Sequence, residues 1–227
     1  MKKTLLLLLL IMASVTGIDA QTHYKSHVHI GGHAGVTFSE MDFVPKTKQS
    51  LTSGMTMGLS FRYAEERHVG LYAELNLSQR GWAEDFEGAP LSYTRTLTYI
   101  ELPIMTHIFF GSQKFKGFVN LGPQIGYNVG ESISSDFDYE HPETVPEFPS
   151  GYRVNEQMYT PVKNKFDYGI CAGLGGEYIM KHRHSFLLET RFYYGLGNIF
   201  PDSKKDVFSA SRSLCFYVTL GYMFRLK

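Results

Sequence analysis

The side chains best placed to do chemistry in this sequence are charged residues that alternate with apolar ones. Successive side chains of a β-strand point to opposite faces, so alternating charges share one face. The set assigned to that face is Arg62, Glu74, Glu101, His107, Asp167, Glu177, Glu189, Arg191 and Arg225. A polar plug of paired charges is the favoured interpretation, because buried charges must be paired or hydrogen-bonded. An ion or solute path and a catalytic site are the alternatives, and no nucleophile and base group together near a rim.

Two members of this set predict a specific contact. Glu189 and Arg191 share a face two residues apart, and an interlock with Glu177 on the neighbouring strand is expected. Removing one partner from a buried ion pair leaves an uncompensated charge. We therefore expect Arg191→Ala to destabilise the protein more than Arg95→Ala.

A histidine group has the residue type and spacing of a metal site. His27, His29 and His33 share one strand face, and alternate histidines can bind a metal. Solvated histidines at a rim explain the same pattern, so no metal and no cofactor are predicted.

Two cysteines could form a disulfide or remain as thiols. Cys171 and Cys215 are assigned to inward faces of two strands with one strand between them. Two strand spacings are roughly 9–10 Å, which is too far for an undistorted disulfide. Two buried thiols are therefore expected.

The segment Gly130–Asn164 is the candidate for binding. It is the longest stretch without alternation, and it holds seven acids, four prolines and few bases. Its aromatic residues are Phe137, Tyr139, Phe148, Tyr152 and Tyr159. Exposed aromatics on a rigid scaffold suit contact with a protein or a glycan, although a loop that only shields the rim is the alternative.

The elements that position these residues are strands. In Ser213–Lys227, bulky apolar residues take one face and small or polar residues take the other. The segments with this alternation are about His27–Phe38, Gly54–Tyr63, His68–Gly81, Ser92–Phe110, Gly117–Val129, Lys165–Tyr178, Ser185–Gly197 and Ser213–Lys227. Pro103 lacks a backbone donor, so a bulge or local break is expected there.

The connections between these segments predict where the strands lie. They run long, short, long, short, long, short, long, including a loop at Ser39–Ser53. Short periplasmic turns and longer extracellular loops are typical of outer-membrane barrels, with apolar residues outside and polar residues inside. The predicted fold is an all-β, eight-stranded antiparallel up-and-down transmembrane β-barrel.

Composition and the N-terminus exclude several other classes. Residues 1–20 have two early lysines and the apolar run Leu5–Met12, so they are expected to be a signal peptide before a barrel domain at 21–227. Formal net charge is zero, which gives no basic footprint for nucleic acid. The mature chain has no continuous apolar run long enough for a membrane-spanning helix.

Four segments resemble the PorT-like outer-membrane β-barrel family of Bacteroidetes. They read GGHAGVTFS, YIELPIMTHIFF, NLGPQIGYNV and, at the end, LGYMFRLK. The resemblance implies a barrel in the outer membrane of a Gram-negative bacterium, inserted by the barrel-assembly machinery. It carries no catalytic motif, and one namesake member takes part in protein secretion by the type IX system.

The expected function is a non-enzymatic, surface-exposed scaffold or interaction protein that contacts outer-membrane lipid and, through its loops, a protein or glycan partner. An accessory component of outer-membrane secretion or transport is one alternative. A soluble periplasmic ligand-binding barrel is the other, and it would require the charged face to lie outside.

Overall fold

The described part of the chain forms a single antiparallel sheet in this computed structural model. The described residues are 26–64, 68–86, 88–146, 148–149, 155–181, 183–203 and 205–226. Their strands are β1 (His27–Val44), β2 (Gln49–Ser50), β3 (Thr52–Ala64), β4 (Val69–Glu84), β5 (Tyr93–Gly111), β6 (Phe115–Ser135), β7 (Phe166–Met180), β8 (His184–Gly195) and β9 (Ala210–Arg225).

The sheet closes into a barrel because its first and last long strands pair. β1 and β9 run antiparallel from the pair His29 and Arg225 to the pair Val44 and Ala210. Each other long strand pairs with its neighbours in sequence, and β4 pairs with β5 to complete the ring. The two-residue β2 pairs with β4, as β3 does, so it occupies the same position in the ring as β3. The ring therefore has eight positions, which confirms the predicted up-and-down barrel.

Several strands extend further than the sequence predicts, and the longest extensions lie at the end that carries the long loops. The expected loop at Ser39–Ser53 is wrong in its first part, since β1 continues to Val44. β4 continues through Trp82 to Glu84, and β6 continues to Ser135. Backbone pairing to β5 and β9 satisfies the hydrogen-bonding groups on one side of the β1 and β6 extensions.

The expected local break at Pro103 is confirmed as a gap in the ladder with β4, which pairs neither Leu102 nor Pro103. The register with β4 is unchanged across that proline, from the pair Ala73 and Ile104 to the pair Asn76 and Glu101. A register shift with β6 occurs between Thr98 and Tyr99.

The outer wall of the barrel is apolar in its middle. Leu59 and Leu220 expose 68% and 69% of their surfaces, as a lipid-facing wall requires. The exposed aromatic residues near the ends of this wall include Phe110, Phe115, Tyr127, Phe166, Tyr168, Tyr178, Phe186 and Tyr222. On β7, Tyr168 and Tyr178 are separated by a rise of about 25 Å for a strand tilted by about 40°. That height matches the apolar band of an outer-membrane barrel.

The connections keep the expected alternation. Short ones at 65–68, 112–114 and 181–183 lie at one end, called the short-turn end. The connections at the other end, the long-loop end, are 45–51, 85–92, 136–165 and 196–209. The third of these, called the long loop, contains a 3-10 turn at Pro142–Thr144 and the helical turn α1 at Glu156–Tyr159. Within the described residues, no helix is long and apolar enough to cross a membrane.

Candidate functional site

Three arginine-centred clusters of ion pairs fill the lumen, and the first lies towards the short-turn end. Arg62 of β3 donates hydrogen bonds to both carboxylate oxygens of Glu177 on β7, at 2.7 and 3.0 Å. The Nε2 atom of His107 on β5 is 3.5 Å from the same guanidinium. All three side chains are buried. The close bidentate geometry offsets the cost of removing both charges from water.

The second cluster is centred on Arg191 of β8. Its guanidinium donates to both oxygens of Glu74 on β4, at 2.6 and 2.9 Å. It also donates to both oxygens of Glu189, at 2.9 and 3.1 Å. Asn76 and Asn120 donate to the two carboxylates, each at 2.9 Å. One arginine therefore holds together two buried carboxylates that would otherwise repel each other.

A single amide joins the first two clusters. Asn120 donates to Glu189, and its Oδ1 atom is 2.6 Å from Nδ1 of His107. His107 in turn contacts Arg62. The side chains of the first two clusters thus form one continuous polar network, which links strands across the barrel.

The third cluster lies nearer the long-loop end, around Arg80 of β4. Its NH2 atom is 2.7 Å from Asp167, and its NH1 atom is 3.6 Å from Glu101. The guanidinium also lies over the rings of Tyr99 and Tyr193, 3.8 and 4.8 Å from their centroids. Stacking on two aromatic faces suits a planar guanidinium in a dry site. The alternation of β4 places Arg80 inward, which is the signal by which it could have joined the expected set.

The structure brings most of the expected lumen residues together. Those buried inside the barrel are Arg62, Glu74, Glu101, His107, Asp167, Glu177, Glu189 and Arg191. Arg225 is only half-buried at the short-turn end, where its NH2 atom is 2.8 Å from Nδ1 of His27. The expected interlock of Glu177 with Arg191 is wrong. Glu177 pairs with Arg62, and the second carboxylate at Arg191 is Glu74.

The histidines of β1 have separate surroundings. His33 Nδ1 is 2.9 Å from the Ser60 hydroxyl and 3.7 Å from Glu74, whereas His27 contacts Arg225. Among the described residues, no group of three His, Cys, Asp or Glu side chains has the arrangement of a metal site.

The cysteines lie where the alternation places them. Cys171 and Cys215 are both buried and unpaired thiols. Tyr193 of β8 is opposite Cys171 on one side and opposite Cys215 on the other, so an intervening strand separates the sulfurs.

The interior changes character at the long-loop end, where a hydrophobic cluster replaces the ion pairs. Its buried members are Met41, Phe43, Trp82, Leu97, Tyr99, Ile199, Phe200 and Phe208. The ring of Phe43 lies 5.4 Å from Trp82, 5.8 Å from Phe200 and 5.0 Å from Phe208, measured between centroids. Trp82 is completely buried, and these side chains fill the barrel above the polar network.

A second polar layer ties the long loop onto this cluster. Arg95 is buried and donates to the carbonyl oxygens of Thr160 and Gln157, at 2.8 and 3.2 Å. It also bonds Glu131 at 3.1 Å. Gln157 is fully buried and donates to Glu84 at 3.1 Å. The turn α1 is therefore part of the barrel's closure, a role that the sequence does not predict.

Most aromatic residues of the candidate binding loop pack inward instead of forming an exposed contact surface. Phe137 and Phe148 contact the buried ring of Phe86, with centroids 5.4 and 5.9 Å away. Tyr139 packs on the buried Tyr93, with centroids 5.6 Å apart. These three residues are half-buried, so only part of the expected exposed aromatic surface is present. Tyr159 exposes 44% of its surface, and Tyr152 lies outside the described residues.

Comparison with known proteins gives a family match over most of the chain. A family model described as "Outer membrane protein beta-barrel domain" matches residues 19–201. A search of curated proteins finds no match.

Solved structures with a similar outline are small outer-membrane proteins. OprG from Pseudomonas aeruginosa is 14% identical, with 91% of this chain and 99% of that chain covered and a TM-score of 0.49. Neisserial surface protein A is 11% identical, with 88% and 99% covered and a TM-score of 0.44. The outer membrane protein W of E. coli is 16% identical, with 89% and 100% covered and a TM-score of 0.38.

Proposed function

The chain belongs to the outer membrane protein beta-barrel domain family, and on that premise we propose that it is a non-enzymatic surface scaffold that contacts partners through its loops. The observation that carries this proposal is the filled interior beneath a cap, the part of the long loop around α1 that Arg95 and Gln157 tie to the barrel. Ion pairs occupy the lumen, and the cluster around Phe43 and Trp82 occupies the long-loop end. A barrel built in this way has its variable surface at the loops and not along a pore.

The orientation follows the rule for outer-membrane barrels. The long-loop end is extracellular and the short-turn end is periplasmic. In this proposal residues 1–20 are a signal peptide that is removed, and residues 21–227 form the barrel domain of a Gram-negative outer membrane. The barrel-assembly machinery inserts it, and outer-membrane lipid surrounds the apolar wall.

The partner surface in this proposal is the outside of the cap, where a protein or glycan binds. Tyr159 is exposed there, and the acids Asp136, Asp138 and Glu140 are exposed in the first part of the long loop, just after β6. The buried side of the same loop is tied to the barrel by Arg95 and Gln157. A contact surface held in this way loses little conformational entropy on binding.

Two measurements test the proposal. In the outer-membrane fraction, the unheated protein should migrate differently from the boiled protein on an SDS gel, because a closed barrel resists SDS when cold. In planar lipid bilayers the purified protein should add no steady conductance steps, since ion pairs fill its lumen. Reproducible open channels would refute the scaffold role, and absence of a gel shift would refute the barrel in the membrane.

A role as an accessory of outer-membrane secretion is the second candidate, favoured by the PorT-like segments such as that at 99–110. It predicts a stable complex with other outer-membrane or periplasmic proteins after gentle solubilisation. Purification of the protein alone under those conditions would count against it.

The soluble ligand-binding barrel is not compatible with the wall and the lumen. That alternative needs an apolar interior, whereas Glu74 and Arg191 are buried inside and Leu59 and Leu220 are exposed outside.

A further inference from the structure

A cleft of about 780 Å³ opens on the outer side of the barrel at the long-loop end. It lies between the last residues of the long loop and the β8–β9 connection. Its lining includes the cations Lys163, Lys165 and Arg212, together with the acid Asp202. Its volume falls within the range of small-ligand pockets, about 300–1,000 Å³.

The cleft has an apolar lower wall, on the side of the short-turn end, and a cationic upper wall, on the side of the long loops. Tyr127, Phe166 and Tyr168 line it from below, and each exposes about half of its surface. Tyr127 and Phe166 face each other across β6 and β7, at the extracellular aromatic belt. Lys165 is the residue immediately before Phe166, so its charge lies at the level just above the belt. Aromatic belts mark the boundary between acyl chains and headgroups.

Outward-facing residues elsewhere in the barrel place the membrane boundary at the same level. Above the belt, the outer face of β5 carries Thr94, Thr96 and Thr98, and that of β1 carries Glu40 and Asp42. Apart from Val44 at the end of β1, polar residues replace the exposed leucines and isoleucines of the band below on these two strands. The cleft therefore opens into the headgroup layer of the outer leaflet.

Hydrogen bonds between the two loops hold the cleft in shape. Asn164 donates to the carbonyl of Asn198 at 2.8 Å. Asn198 donates to Asp202 at 2.8 Å and accepts from the backbone N–H of Ser211 at 3.0 Å. The lysines on either side of Asn164 are thus presented by a fixed frame and are themselves exposed.

Arg212 has donor capacity that the described residues do not use. Its NH1 atom bonds the Tyr194 hydroxyl at 3.3 Å, and its Nε atom has no partner among the residues described. Asp42 is opposite it in the register of β1 and β9.

Hydrogen bonds from Ser203 lower the pKa of Asp206, an exposed acid close enough to Lys163 to interact. The cleft lining itself holds three cations against one acid.

We propose that this cleft binds the phosphate group of a phosphorylated glycolipid in the outer leaflet. The two lysines and Arg212 would contact the phosphate oxygens, and the aromatic lower wall would contact the first part of the acyl chains. Phosphate suits these cations because charge-assisted hydrogen bonds are strong and a guanidinium can contact two oxygens at once. The position at the belt favours a lipid over a soluble phosphate, because a soluble phosphate has no apolar part that could contact the aromatic wall.

The test uses the purified, folded protein in neutral detergent micelles with inorganic phosphate and two lipid probes. One is lipid A carrying its phosphates, and the other is the same lipid A after removal of the phosphates. The test variant is Lys163→Ala/Lys165→Ala. The matched control is Lys46→Ala/Lys48→Ala, which removes two charges from the same end of the barrel at residues outside the cleft lining. The gel shift on heating verifies that each variant is folded.

We expect the wild type to bind the phosphorylated lipid at least about tenfold more tightly than the dephosphorylated lipid. The cleft variant should lose about tenfold in affinity, the control should stay within about twofold, and the wild-type preference should weaken at high salt. Equal affinity for both lipids, or equal losses in both variants, would overturn the proposal. Binding of inorganic phosphate as tightly as of the lipid would overturn the assignment to a lipid.

Discussion

Replacement of Arg191 by methionine tests whether the lumen network holds the barrel together. The change keeps a long side chain and removes the charge between Glu74 and Glu189. Each carboxylate keeps one amide donor at 2.9 Å, from Asn76 and from Asn120. Both carboxylates remain buried at 3% relative exposure, so two negative charges are left without their cation.

The expected size follows from what a broken buried ion pair costs. Loss of one partner from such a pair destabilises proteins by about 3–5 kcal/mol. Arg191 serves two carboxylates, but the remaining amide bonds recover part of the loss. We therefore expect the free energy of unfolding to fall by about 4 kcal/mol.

The measurement is unfolding by urea in detergent micelles, with the folded fraction read from the unheated gel band. The matched control is Arg183→Met, because Arg183 is exposed in the turn at 181–183 and should change stability by no more than about 0.5 kcal/mol. Arg95→Ala is a poor control, since Arg95 is itself buried and bonded to the long loop.

A charge-neutral variant separates electrostatics from packing. Glu74→Gln and Glu189→Gln, added to Arg191→Met, remove the stranded charges and should recover more than half of the lost stability. The reasoning is refuted if Arg191→Met costs less than about 1 kcal/mol. It is also refuted if the triple variant is no more stable than the single one.

Three further outcomes follow from the packing. Cys171 and Cys215 should resist a bulky maleimide reagent in the folded protein and react after boiling, because both thiols are buried; rapid labelling without heating would contradict their placement. Arg95→Ala should speed protease cleavage of the long loop while the gel shift persists, because the tie to α1 is lost; unchanged cleavage would show that the tie is dispensable. Gly35→Ala should impair folding, since its added carbon would meet the backbone carbonyl of Val218, whereas Gly176→Ala meets nothing nearby and serves as the control; normal folding of both would contradict the close approach of β1 and β9.

The sequence could predict which faces of the membrane-spanning strands are buried. Side-chain alternation is a local property with a period of two, and it depends on nothing beyond the strand. Leu59 and Leu220 on the outside, and Glu74 and Arg191 on the inside, follow from it directly. The alternation of short and long connections predicted that all long connections lie at one end of the barrel, as they do.

Partners within the lumen depended on the closed structure. Arg62 and Glu177 are 115 residues apart and lie on strands that are not neighbours. Which side chains meet across a barrel is set by the tilt and stagger of its strands. Those quantities arise only when β1 pairs with β9, so the sequence pattern allowed Glu177 to be assigned to the wrong arginine.

The sense of the alternation also reverses above the aromatic belt, and only the tertiary structure shows where. On β5, Thr94, Thr96 and Thr98 face outward, while Leu97 and Tyr99 are completely buried. Below the belt the outside is lipid and the inside is polar. Above it the outside is water and the inside is a hydrophobic core closed by the long loop. The strand keeps a period of two through both regions, so the sequence determines which residues share a face. Whether the outer or the inner face carries the apolar residues depends on what surrounds it, which is lipid or water outside and polar or hydrophobic side chains inside.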